Sequence, residues 1–466
     1  METLVSNRIY CTEPTQEIIE YCERELVVTN PTYEQMMRLG KENLIRIKHI
    51  PPRLKLYVVS GNQIIMPFGV LYAIWPMIKN YPVRTKFNDA GQISCINDTI
   101  SQPLYDYQET AVKTMVATKG GVLVGGTGSG KTNCGCEIAK RIGRKFLWLT
   151  HTHDLVKQSY DRIKSLYPNM KLEITSEGQI NIGEDGTIAT VQTMANLDPA
   201  LYRDKFDTVI TDECHHIVNS PTLSKLFARV ISNIPARYKF GLTATPKRND
   251  SMTKTIYTTV GCNPNGVFCP TYEIKKSETK TLTAEHVKYD LPTPFKYECL
   301  NGDGTFSYAG LIDALAEDEE RNEEIIKNII ELNKEGRKQI ALCLRVSHCE
   351  KLYEMAIERG LKAKILTGKI VSKKKRAEVL DHPEDWDLLV ATFSLAKEGL
   401  DVPMLDTIHW CSIVGNKIDA VQSAGRVERA YDNKKEPLVI DYVDIKIPYC
   451  VSRYKKRVGW LKKRED

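Results

Sequence analysis

Residues 125–132 read GGTGSGKT. Gly125, four residues, then Gly130-Lys131-Thr132 is the spacing of a loop that wraps a phosphate. Glycine at these places lets the backbone N–H groups of Gly125, Gly126, Thr127, Gly128, Ser129 and Gly130 close around a β-phosphate, and a helix opening at Lys131 adds the positive end of its dipole. Lys131 is the residue to neutralise the β- and γ-phosphates, and Thr132 the one to hold Mg²⁺. A second cluster, TDECHH (211–216), follows the apolar run DTVI. Two adjacent carboxylates at the C-terminal end of a strand are placed for nucleotide hydrolysis, with Asp212 toward Mg²⁺ through water and Glu213 toward the attacking water. An isolated Asp-Glu pair is usually an exposed loop feature. Downstream of a phosphate loop, it points to an ATP hydrolase that uses Mg²⁺. His215 and His216 invite a zinc reading, but no third ligand stands at a suitable spacing. Cys134 and Cys136 flank a glycine just after Lys131 and read as small packing residues.

These residues need strands and helices to hold them. GVLV (121–124), KFLWLT (145–150), TIATV (187–191), DTVIT (207–211) and YKFGLT (238–243) read as buried parallel strands alternating with helices. The alternation returns in QIALCLR (339–345), AKILT (363–367), DLLVAT (387–392), DTIHWC (406–411) and PLVID (437–441). The pattern predicts two α/β lobes in series, at 99–268 and 306–466, each a doubly wound parallel sheet. Residues 269–305 are poorly patterned and read as a connector with some strand. Residues 1–98 differ in texture: a helix near 15–25, the polar-basic stretch MMRLGKENLIRIKHI, and a hairpin, LKLYVVS and QIIMP around Gly61-Asn62. They predict a small separate α+β domain with a positive bias from Lys41, Arg46, Lys48, Arg53 and Lys55.

From about residue 100 to 445 the chain resembles the superfamily 2 helicases. DECH stands where that superfamily has its DEAD, DEAH or DExH box, and LTATP (242–246) is similar to its motif III. The resemblance implies two tandem RecA-like lobes. It assigns Thr243 and Thr245 to the link between hydrolysis and lobe movement, and Gln108 of YQETAV to adenine. LTHTHDLVKQ (149–158) and ATVQTM (189–194) resemble strand-gripping motifs, which implies nucleic-acid contacts at His151, Gln192 and Thr193. In the second lobe LRVSHCEKL (344–352) resembles motif IV, through Arg345. VATFSLAKEGLDVP (390–403) resembles motif V, with Thr392 near nucleic acid and Gly399 and Asp401 near nucleotide. QSAGRVERA (422–430) matches Q-x-x-G-R-x-x-R, implying Gln422 at the nucleotide and Arg426 and Arg429 as arginine fingers on its phosphates. DECH, LTATP and DALAEDEERNEEII (313–326) look like the XPB-like and UvsW-like DNA helicases. One departure is Tyr105, where the adenine motif usually has arginine.

The bulk numbers agree. The chain has 466 residues, too many for one core, with 42% hydrophobic and 27% charged residues. No apolar run is long enough to span a bilayer, and thirteen cysteines at irregular spacings indicate no disulfide framework, so a soluble, cytoplasmic protein is expected. Net charge is only +6. The basic residues cluster, in KKKR (373–376) and in RYKKRVGWLKKR (453–464). The expectation is an ATP-dependent DNA helicase or translocase, monomeric, acting on single-stranded, duplex or branched DNA in replication, repair or recombination, with a viral or phage look. Residues 1–98 and the basic tail are the expected duplex-engaging parts. The alternatives are a motor subunit of a restriction or defence complex, an RNA-directed DExH helicase, and an ATP-gated sensor.

Overall fold

The computed structural model describes residues 1–466 except 127, 177–178, 218–225, 245, 247–251, 261–270, 275–281, 295–298, 301–303, 369–372, 395–401, 430 and 463–466, and except the side chains of 271, 373–375 and 377. The chain divides into two compact units, one built mainly from residues 1–275 and one from 276–466.

Among the described residues the first unit holds two large sheets and the two-stranded ladder of Val27–Thr29 with Arg53–Lys55. The N-terminal one runs Val58–Ser60, Gln63–Pro67, Arg8–Thr12, Glu2–Val5, Val83–Thr85, antiparallel except for the last pair. The expected hairpin is there, with Ser60 paired to Gln63 across Gly61-Asn62. Helices Gln16–Glu25 and Leu71–Ile78 bury Ile18, Cys22, Ile74 and Ile78 in this domain's core. The second sheet has seven parallel strands, in the order Leu172–Thr175, Gly186–Thr190, Phe146–Thr150, Thr208–Thr211, Tyr238–Thr243, Gly120–Gly125, Thr271–Ile274. Its central strands are buried along their whole length, which is why they read as unbroken apolar runs. Successive side chains supply opposite faces: Phe146 and Trp148 pack with Cys134, Cys136 and Ile138, while Leu147 and Leu149 pack with Val209 and Val230.

The N-terminal domain has its own sheet and core, yet it is not a loosely tethered module. Met252, from the far end of the motor lobe, is buried in the N-terminal core. Gly69 lies so close to the helix Thr253–Val260 that a Cβ there would sit 2.3 Å from the Tyr257 and Thr258 carbonyl oxygens. Asn88 Nδ2 donates to the carbonyls of Arg203 and Phe206, and Lys254 pairs with Glu25 at 3.2 Å.

The second unit is built on six parallel strands, in the order Glu285–Leu291, Leu438–Asp444, Thr407–Trp410, Gln339–Cys343, Leu388–Thr392, Ala363–Leu366. The expected connector, 269–305, is shared out. Thr271–Ile274 extends one sheet beside Gly120–Gly125, and Glu285–Leu291 extends the other beside Leu438–Asp444. Edge strands are half exposed and carry charges, so they lack the apolar signature of central ones. The basic tail also differs from a solvated face. It forms the helix Pro448–Lys462, in which Arg457 is buried against Asp441 with two bonds of 2.7 Å and Trp460 packs on the lobe's core. Among the described residues no helix is long and apolar enough to cross a membrane.

Candidate active site

The phosphate loop leaves the strand Gly120–Gly125 and enters the helix Lys131–Ile142. Gly130, the N-cap, takes φ +77°, and a Cβ on it would meet Gln108 Nε2 at 2.2 Å. The adenine-motif glutamine and the loop are therefore in contact, and only glycine fits between them. Gln108 is buried, its Oε1 accepting from the Tyr105 N–H at 3.1 Å in a capping arrangement on the helix Asp106–Thr118. Exposed Tyr105, standing where the family usually has arginine, stacks on Tyr107 at 5.8 Å. Lys131 Nζ folds over the loop and donates to the carbonyls of Gly125 at 3.0 Å and Gly126 at 3.3 Å. Ser129 is buried in the loop, Thr132 is partly exposed at the helix start, and Gly128 takes φ +82°.

Asp212 and Glu213 follow the strand Thr208–Thr211, two strands away from the loop in the sheet. Asp212 is buried, and its Oδ1 accepts the Glu213 N–H at 2.9 Å. Burial and the neighbouring Glu213 charge push the Asp212 carboxyl up. Burial works against Glu213 too, but the His215 hydrogen bond and the charge of Lys131 hold its carboxyl below the usual range. Buried Asp212 beside half-buried Glu213 fits a divalent cation, and Asp212 with Thr132 are the residues that would hold Mg²⁺.

Two features here escape a reading by motif. Glu213 has φ +47° and ψ +50°, the left-handed region, unusual for any residue other than glycine. The histidines are also organised. His215 Nδ1 lies 3.1 Å from Glu213 Oε2 and 3.1 Å from the hydroxyl of Thr243. His216 stacks between His215, at 4.2 Å, and His151, at 4.1 Å. A continuous contact thus runs from the loop after Phe146–Thr150 to the Glu213 carboxylate, and on to Thr243. Gly241 allows it, because a Cβ there would sit 2.8 Å from Cys214 Sγ. The only signal in the sequence was the pair of histidines directly behind the carboxylates.

Of the two residues expected to grip a strand at 189–194, Gln192 is exposed but Thr193 is buried. The Thr193 N–H and hydroxyl both engage Thr190, so its side chain holds the turn and is not available to a ligand. In the second unit, helix Lys417–Val427 starts at Asn416, whose side chain accepts the Asp419 N–H. Ala420, Ser423, Ala424 and Val427 face the core, while Gln422 and Arg426, one turn apart, share the partly exposed face; Arg429 follows, also partly exposed. Arg345 is ion-paired with Asp313 at 2.6 Å, and Thr392 lies buried 3.1 Å from the Ser394 hydroxyl. Thr127, Thr245, Gly399 and Asp401 fall outside the described residues.

Comparison with known proteins agrees with this geometry. Residues 101–248 match the family described as type III restriction enzyme, res subunit, and residues 320–431 match the helicase conserved C-terminal domain. A protein of Acanthamoeba polyphaga mimivirus, provisionally assigned as an ATP-dependent RNA helicase, is 28% identical over 432 residues, covering 88% of this chain and 76% of its own. The DNA 3'-5' translocase XPB2 of Sulfurisphaera tokodaii is 28% identical over 399 residues, covering 78% and 86%. The fold is shared with S. cerevisiae Dbp5 bound to RNA and ADP BeF3, at a TM-score of 0.55 and 16% identity over 78% of this chain and 88% of that one.

Proposed function

Because the chain belongs to the superfamily 2 helicases, enzymes that couple ATP use to nucleic-acid unwinding, we propose that it acts on DNA and uses ATP to translocate along and remodel forked or branched duplexes. The observation that carries the hydrolytic part is the set of Lys131, Asp212 and Glu213 on one sheet, with Glu213 kept ionised. Lys131 draws the β- and γ-phosphates of the substrate into the glycine loop. Glu213 orients a water and takes its proton, and His215 fixes the direction of the carboxylate. Bound Mg²⁺ would neutralise phosphate charge at Asp212 and Thr132. Arg426 and Arg429 supply guanidinium groups to the charge that grows on the γ-phosphoryl oxygens. ATP then favours one arrangement of the two units and its products another, and a grip on one strand shifts each cycle. His151, Gln192, Arg345 and Thr392 are the proposed grip. Contacts of this kind go to phosphates and carry little sequence preference.

DNA is favoured by the likeness to the Sulfurisphaera tokodaii translocase over most of both chains and by the cluster of exposed cations Arg38, Lys41, Arg46, Lys48 and Arg53 in the N-terminal domain. The match of 101–248 to a restriction-enzyme subunit supports a second reading, movement on duplex without strand separation. Steady-state ATP hydrolysis with single-stranded DNA, duplex, a fork and duplex RNA tests the proposal, beside strand- and triplex-displacement assays. Strongest stimulation by forked DNA with strand displacement is expected. Triplex displacement alone would favour the second reading, and stimulation by RNA alone would overturn the DNA assignment.

A further inference from the structure

In the N-terminal domain, the segment 31–50 stands apart from the core. The ladder Val27–Thr29 with Arg53–Lys55 closes its base, and Asn30 locks it: the Asn30 N–H donates to the Pro52 carbonyl, its Nδ2 to the Pro51 carbonyl, and its Oδ1 accepts the Thr32 N–H. Beyond this clamp lie two short helices, Pro31–Arg38 and Glu42–Ile47, turning at Gly40 with φ +64°. The first helix buries no residue; Ile45 and Ile50 are buried, but no residue of 31–50 belongs to the large hydrophobic cluster of the domain. Apolar side chains that would ordinarily face a core instead meet solvent: Ile47 is 74% exposed, Leu39 58% and Met37 42%. Around them Arg38, Lys41, Arg46, Lys48 and Arg53 are exposed as well, against the carboxylates Glu34 and Glu42.

We propose that this arm is the element that engages the branch point of DNA, its cations neutralising duplex phosphates and its exposed apolar side chains wedging against unstacked bases. This rests on the reading of the chain as a DNA motor. Charge complementarity selects the occupant. A protein groove would suit the apolar tip, but the surrounding excess of cations suits a polyanion. Nucleic acid offers phosphates and base faces together, and apolar wedges between base steps are how proteins open or kink duplexes. The clamp gives the arm a fixed base from which to press.

Two surface variants of the full chain separate the parts. Leu39→Ser with Ile47→Ser removes the wedge and touches no core. It is expected to keep the parent's stimulation of ATP hydrolysis by single-stranded DNA and to lose strand displacement on forks about tenfold or more, since the wedge that holds the bases unstacked is gone. A 2-aminopurine at the fork base brightens with the parent and not with this variant. Arg38→Ala with Lys41→Ala and Lys48→Ala is expected to weaken fork binding and to flatten the log–log salt dependence by about 2.7, at ~0.9 per phosphate contact. Unchanged fork unwinding and unchanged 2-aminopurine signal in the serine variant, with ATP hydrolysis still stimulated, would overturn the arm's role alone. No stimulation of the parent by any DNA would remove the motor reading and the arm's role with it.

Discussion

At the scale of single residues, the active site concentrates its strain on one carboxylate. A left-handed glutamate costs on the order of 1–3 kcal/mol, and surrounding contacts must hold it there. Here the His215 bond and the tight packing of Cys214 on Gly241 do so. Glu213→Gln is expected to bind ATP and lower turnover by about 10²-fold or more, the range for loss of a general base. Lys131→Ala should abolish hydrolysis with the fold intact; nucleotide binding and single-turnover hydrolysis distinguish the two. The histidine stack makes a separate claim. His216→Ala should reduce the ratio of DNA-stimulated to unstimulated hydrolysis by about twofold to thirtyfold, a coupling of about 0.5–2 kcal/mol, and His216→Phe should restore most of it by keeping a ring between His151 and His215. Equal ratios in both variants would mean that the rings only pack. The placement of Lys131 and of Asp212-Glu213 at the ends of buried strands was legible because a glycine loop and a carboxylate pair behind apolar runs are local in sequence. The stack was not, because His151 meets His216 only after two strands are laid side by side.

At the scale of elements, most of the parallel strands could be read from their apolar runs, and what was missed is polar. The tail RYKKRVGWLKKR looks like a solvated basic face, yet one of its arginines is interior. Arg457→Met would strand Asp441, whose remaining partner is His286 at 3.1 Å, and should destabilise the second unit by about 3–5 kcal/mol. Asp441→Leu in the same chain should recover much of that, because a buried pair replaced by apolar groups is nearly neutral. His348 and His409 lie buried in the same unit. Burial, helped by Arg321 and Lys351 for the first and by Arg337 for the second, lowers both imidazoles to about 3. The folded unit keeps them neutral while the unfolded chain takes up protons below its ordinary pKa near 6.5. Stability is therefore full above that pH and lost as pH falls below it, by about 2 kcal/mol per histidine at pH 5. Urea titrations at pH 7.5 and 5 check this, and His409→Gln should flatten the slope.

At the scale of the molecule, two compact units predict two cooperative transitions, and their assignment is testable. Arg457→Met should move only the one belonging to 276–466, whereas Lys239→Met should move the other upward. Lys239 is buried at the start of its strand, over the Phe68 ring at 4.5 Å, and burial with Arg8 nearby lowers its ammonium to about 7. A methionine of similar size avoids that desolvation and should add about 1–4 kcal/mol at neutral pH. Differential scanning calorimetry of both variants reads this directly, and a single merged shift in either would refute the assignment.

Met252 and Gly69 bear on how this protein could be dissected or have arisen. Deletion of residues 1–95 would leave Met252 without its surroundings and uncover the helix it precedes, so a dead fragment would report damage and not the loss of a DNA reader. The same joint limits inheritance: the front of the chain cannot be exchanged as a cassette between relatives unless the docking helix Thr253–Val260 changes with it. Variation in substrate preference is then expected to accumulate in the arm beyond Asn30, at exposed positions such as Met37, Leu39 and Ile47.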